Sequence, residues 1–220
     1  IFEGGEDLGS GRSGGGGKDD AIHQPQVFSS GRGISLEIRG EENQSPMPMM
    51  IVMDPPRHGQ LRALVNRGFT PRRVGDLEAS IRELCTELID GVAERGECEF
   101  VREVAAPLPM AIIGDMLGVL PKDRDRLLEW SDDLVSAAGN ADPVAIAKSQ
   151  KAGMEWMQYA QGVIADRRSR PPQDDLISLL CHAELDGERL DDEAIRRESL
   201  LILVGGDETT RHVITQGMEA

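Results

Sequence analysis

Apolar residues recur at helical spacing along most of the chain. The cleanest run is Leu77, Ile81, Leu84, Leu88 and Val92, which predicts an amphipathic helix over 74–95 with these side chains in a core. Around Gly96 the period breaks, so 96–104 reads as a short strand or bend. Two further helices are expected at 105–118 and 121–138, divided by Val119-Leu120-Pro121, with Pro121 suited to a first turn. Residues 137–143 form a break before a long helix to about Arg168, on which Met154, Trp156 and Met157 read as packing residues. A helix at about 173–183, a turn at Asp186-Gly187 and a final helix capped by Asp191 complete a mainly α chain.

Within that final helix the apolar run Leu200-Leu201-Ile202-Leu203-Val204 meets Gly205-Gly206-Asp207-Glu208-Thr209-Thr210 before Arg211-His212-Val213-Ile214 follows. Glycine in a helix interior costs roughly 1 kcal/mol relative to alanine, and acids and threonines compete with the backbone ladder, so an interruption is expected here. Such a gap suits a buried helix that approaches a flat ligand at the glycines, with the Thr209 hydroxyl and the Glu208 carboxylate placed to handle protons. A glycine-kinked core helix ending in a polar turn satisfies the same string.

A second string lies far upstream: Met53-Asp54-Pro55-Pro56-Arg57-His58-Gly59-Gln60-Leu61-Arg62, continuing to Gly68-Phe69-Thr70-Pro71-Arg72-Arg73. Asp54 reads as an N-cap with prolines in the first turn. His58 and Arg62 stand four apart on one helix face and present two donors to a carboxylate, although alone such a pair also describes a solvated surface. From Pro55 to Gly75 there are five arginines, Arg57, Arg62, Arg67, Arg72 and Arg73, and no acid. That island suits an acidic partner or anionic groups of a ligand.

Taken together, the two strings resemble the cytochromes P450 of bacterial type, over roughly residues 25–220. The resemblance implies a cytochrome P450 fold truncated after its distal helix, preceded by a glycine-rich flexible segment at 1–24; residues 4–17 alone hold eight glycines. It further implies a haem b monooxygenase that takes electrons from a ferredoxin or flavoprotein and inserts one atom of O₂ into a small hydrophobic substrate. His58 and Arg62 then contact the haem propionates. Gly205 and Gly206 leave room for O₂, Thr209 holds the water that delivers protons, and Glu208 feeds the relay. Val27-Phe28-Ser29-Ser30 with Gly31-Arg32-Gly33 looks like the lead into the loop above the haem, and the helices at 121–138 and 143–168 like the lid of the substrate channel. The wording Gly-Gly-Asp-Glu-Thr-Thr-Arg-His is similar to actinobacterial members acting on sterol side chains or related lipids.

Composition narrows the remaining classes. The chain has 220 residues, 39% hydrophobic and 29% charged, with a formal charge of −15. No apolar run approaches the roughly 18 residues of a membrane span, and the acidic balance disfavours nucleic acid as a partner. Cys85, Cys98 and Cys181 form neither a disulfide framework nor a metal motif, and no secretory leader is recognisable, so a cytoplasmic protein is expected. Glu208 and His212 alone are too few for a metal site, and no P-loop, dinucleotide or nucleophile-elbow motif occurs. The family also needs a cysteine ligand in a glycine-containing loop and a bracing Glu-x-x-Arg pair. None of the three cysteines has such surroundings, and Glu193-Ala194-Ile195-Arg196 precedes the distal helix motif and reads as a surface pair. The competing reading is a non-catalytic all-α fragment or degenerate relative that binds a hydrophobic ligand or a protein.

Overall fold

In the computed structural model, residues 27–31, 33, 47–137 and 142–219 are described. The segment expected to be flexible at 1–24, and most of the 137–143 break, lie outside them. After a 3-10 turn at Met50–Val52 come α1 (Arg57–Asn66), α2 (Pro71–Asp76), α3 (Glu78–Ala93), α4 (Pro107–Leu117), α5 (Arg124–Ser136), α6 (Pro143–Ser169) and α7 (Leu176–His182). A two-stranded hairpin, β1 (Glu184–Leu185) and β2 (Glu188–Arg189), leads into α8 (Asp192–Glu219).

Local chemistry accounts for most boundaries. Asp142 accepts from the Val144 amide at 3.0 Å with Pro143 in the first turn, and Asp191 accepts from the Ala194 amide at 2.6 Å. Asp186 and Gly187, at φ 54 and 84, make the tight turn that joins β1 to β2. Gly118, at φ 81, ends α4 in the left-handed conformation, and a Cβ there would stand 2.8 Å from both Arg167 and Asp175. Those two side chains pair at 2.6 Å, and Asp175 also caps α7 through the Ser178 amide at 2.7 Å. One ion pair thus ties the end of α6 to the start of α7 beside the α4 terminus.

The core lies where α4, α5, α6 and α7 meet the first half of α8, around Trp130, Trp156, Leu180, Ile195 and Leu203. Two expectations need correction, and the choice between strand and bend at 96–104 is narrowed. The predicted 74–95 helix divides into α2 and α3, and Leu77, Ile81, Leu84, Leu88 and Val92 are only half-buried. Among the described residues α3 packs on α2, α4 and the Val101–Ala105 turn, which leaves its apolar stripe partly uncovered. The 96–104 segment bends at Gly96 and continues as a π-helical turn at Val101–Ala105, with no strand. Finally, Asp54 does not cap α1, which starts only at Arg57 with Pro56 in the N-cap position and no side-chain cap bond. Its carboxylate accepts instead from the Ser29 hydroxyl at 2.5 Å and the Ser30 amide at 2.9 Å.

Candidate active site

Helix α8 runs through Gly205-Gly206 without a break, contrary to the interruption expected from its composition. The two glycines serve different surroundings. A Cβ on Gly206 would come within 2.9 Å of Ile113 on α4, so this glycine lets two helices approach. It is therefore a packing position, whereas nothing lies within 4 Å of a Cβ on Gly205, which is exposed. The Thr209 hydroxyl donates to the Gly205 carbonyl at 2.9 Å, adding to the ladder instead of displacing it. With its proton engaged, the Thr209 oxygen keeps free acceptor capacity on an exposed stripe.

The carboxylates on either side of that stripe are constrained. Glu208 is bound by Arg211 and lies 2.8 Å from His212 Nε2, while Arg211 also meets Asp132 on α5 at 2.6 Å. Asp207, given no role by the sequence reading, is 0% exposed and accepts from the Ser131 hydroxyl at 2.7 Å. Burial raises its pKa, partly offset by Ser131 and Arg211. Only its placement beside a motif hinted at this contact, because Ser131 lies 76 positions away.

His58 and Arg62 sit on α1, the former half-buried and the latter exposed. The His58 Nδ1 lies 3.1 Å from the Met50 carbonyl, which can only accept, so Nδ1 carries a proton and Nε2 remains for a ligand. Arg62 has no partner among the described residues. The Met50 amide in turn donates to Glu198 Oε1 on α8 at 2.8 Å. Through this turn the donor edge of α1 is joined to the helix carrying Gly205 and Thr209. A planar apolar ligand with an anionic edge fits the chemistry of that pairing: an open glycine face on one element, and the Arg62 guanidinium beside the His58 ring on the other.

The cysteines fit a thiolate role poorly. Cys181 is buried and burial pushes its thiol up to about 11, which keeps it protonated. Cys85 and Cys98 face an apolar groove together with Ile214 and Met218, away from the Gly205 stripe. A separate cavity of about 850 Å³ opens between α6 and the first half of α8, lined by Met47, Leu134, Gly153, Met157, Arg196 and Leu200 among others. Neither Gly205 nor Thr209 lines it; they lie farther along α8. Arg196, read as part of a surface pair, does bind Glu193, and it also borders this cavity.

No protein-family model matches the chain. It is 51% identical over 201 residues to the steroid C26-monooxygenase of Mycolicibacterium smegmatis, covering 91% of this chain and 48% of that protein. Cytochrome P450 109 of Bacillus spizizenii is 34% identical over 201 residues, covering 90% of this chain and 47% of its own length. Among solved structures, Mycobacterium marinum cytochrome P450 CYP268A2 in complex with pseudoionone superposes with a TM-score of 0.79 at 35% identity. That match covers 90% of this chain and 50% of the other. The chain thus spans about half the length of the curated relatives it matches. In sequence and in helical architecture alike, it belongs to the cytochrome P450 family.

Proposed function

We propose that the full-length protein carrying this chain is a haem-thiolate monooxygenase acting on a steroid or similarly lipid-like substrate. One oxygen atom of O₂ enters the substrate and the other leaves as water, with two electrons supplied by a ferredoxin or flavoprotein. The 51% identity to a steroid C26-monooxygenase supports the substrate class. The observation that carries the site is the open face of α8, where Gly205 is bare and Thr209 is tethered to its carbonyl. Haem b, when bound, would supply the O₂-activating iron chemistry.

The residues present do the rest. Arg62 holds a carboxylate at the edge of the site through charge-assisted hydrogen bonds, with the His58 ring one helical turn away on the same face. Gly205 leaves the helix face clear, and Gly206 sets the depth of α8 against α4. The Thr209 oxygen accepts a hydrogen bond from water or a reacting O–H group and so fixes where a proton is delivered. Glu208 replenishes that proton through His212, which is exposed to solvent. The 850 Å³ cavity, largely apolar with Arg196 at its edge, suits the body of a lipid-like substrate. Arg57, Arg67 and Arg72 are exposed on the basic island and offer a docking surface to an acidic redox protein, while Arg73 is engaged by Asp174. No described helix is long and apolar enough to cross a membrane, in keeping with a cytoplasmic enzyme.

The test is Thr209→Ala in the full-length enzyme, measured as product formed and peroxide released per NAD(P)H consumed. Losing one hydrogen bond to a reacting group should lower product yield roughly tenfold, with the lost flux appearing as hydrogen peroxide. Thr210→Ala, about 100° around the helix, should change the yield less than about twofold. Unchanged coupling in Thr209→Ala would show that another residue governs proton delivery.

A further inference from the structure

Glu198 lies seven residues before Gly205 and eleven before Thr209, on the same face of α8. It is 1% exposed, just before the apolar run Leu200–Val204, and a buried acid is costly unless its hydrogen bonds place something. Its Oε1 accepts from the Met50 amide, 148 positions away in sequence, at 2.8 Å, while Oε2 has no partner among the described residues. The other side of the same residue is also held, since the Met50 carbonyl lies 3.1 Å from His58 Nδ1. Arg197 on α8 and Arg57 on α1 are the cations that face the carboxylate.

We propose that Glu198 is a positioning residue: it latches the Met50–Val52 turn onto α8 and, through the Met50 carbonyl, fixes the tautomer and orientation of His58. The stripe that is open at Gly205 and Thr209 is thereby closed at its other end by this turn. A buried carboxylate with one unsatisfied oxygen is a poor device for stability alone, and the register it imposes is the gain. An apolar side chain there would pack as well but would leave the turn free to slide along α8. The consequence for a cofactor depends on the role proposed above for His58; the latch itself does not.

Amide hydrogen exchange and ¹⁵N imidazole spectra of the 220-residue chain, without any cofactor, test the latch. Glu198→Ala should speed exchange at the Met50 amide roughly tenfold while leaving Leu203 in α8 unchanged. It should also convert His58 from a fixed Nδ1–H form to a mixture of tautomers. Glu198→Gln, which keeps the acceptor, should preserve both signatures. Should Glu198→Ala prove too unstable, Glu198→Asp withdraws the acceptor by one methylene and should loosen Met50 in the same way. The idea is overturned if Met50 and His58 are indifferent to removal of the acceptor, if Glu198→Gln fails to preserve them, or if exchange rises equally throughout α8. Since no readout involves haem, an intact latch together with a full-length enzyme whose haem retention is indifferent to His58→Ala would refute the cofactor role alone.

Discussion

From Ile195 to Leu203, α8 lies among α4, α6 and α7, and both of those residues are 0% exposed. Beyond Asp207 the same helix shows Val213 and Met218 to solvent at 70% and 68% exposure. Apolar residues occur in both halves, so hydrophobicity does not separate them. What separates them is a partner. The first half is enclosed by neighbouring helices, whereas the second shares with α3 an apolar groove of about 400 Å³, lined by Leu88, Val92, Phe100, Ile214 and Met218 among others. The helix passes from structural core to available surface over Gly205 to Thr209, and the candidate catalytic residues sit at that passage. A site placed there is braced from one side and accessible from the other.

The largest expected consequence concerns core burial. Leu203→Ala should destabilise the chain by about 2–5 kcal/mol, because a fully buried side chain leaves a cavity among neighbours that relax only partly. Val213→Ala, ten positions along the same helix, should stay within about 0.5 kcal/mol. Denaturant unfolding of both variants measures the contrast. Comparable losses would mean that the second half of α8 is buried in solution, and the division of the helix would fall.

A smaller effect distinguishes the halves by pH. Burial raises the Glu198 carboxyl to about 7, against the opposing pull of the Met50 amide, Arg197 and Arg57. The folded chain therefore holds this proton more tightly than the unfolded chain between about 4.5 and about 7. Stability contributed by the protonated group is complete at the acid end of that window and is lost as pH rises through it, by about 3 kcal/mol at most. Glu198→Gln should remove that loss, making the variant more stable than the parent at pH 8 and little different at pH 5. Asp207 is also shifted upward by burial and should leave a residual slope of the same sign. A parent whose stability rises across this window would contradict the assignment.

Much of the layout of the candidate site was legible because its residues are sequence neighbours. Gly205, Glu208 and Thr209 fall within one turn or so of helix, and His58 and Arg62 are one turn apart, so their spacing alone placed each set on one element. The contacts that unite the elements were not legible. Glu198 reaches Met50 across 148 positions and Asp207 reaches Ser131 across 76, and no local pattern encodes such pairs. An acid set between Ile195 and the Leu200–Val204 run was the available signal for Glu198. In the fold, the turn at Asp186-Gly187 and the Asp191 cap were readable because backbone conformation and amide capping are local. The error at α3 has the opposite origin: periodicity reports that a helix has an apolar face, and says nothing about what covers it. The continuity of α8 was missed for a related reason, since tertiary contacts with α4 outweigh the poor helix propensity of two glycines.

The smallest effect, and the finest test of the passage from core to surface, is a reversal of sign between adjacent glycines. In Gly206→Ala the new methyl would stand 2.9 Å from Ile113, a buried β-branched residue on α4 with little rotamer freedom to retreat. The strain exceeds the gain in helix propensity, leaving a net loss of about 1 kcal/mol. In Gly205→Ala nothing lies within 4 Å, so the propensity gain stands alone and the chain should be stabilised by about 0.5–1 kcal/mol. The functional consequence runs the other way. A methyl at position 205 projects from the open face beside Thr209, so in the full-length enzyme Gly205→Ala should impair coupled turnover despite its higher stability. Gly206→Ala, packed against Ile113 of α4, should be less stable yet couple more normally. Unfolding midpoints and product yield per NAD(P)H separate the two effects. The same sign of stability change at both positions would show that Gly205 is packed as closely as Gly206, and would remove the open face on which the site depends.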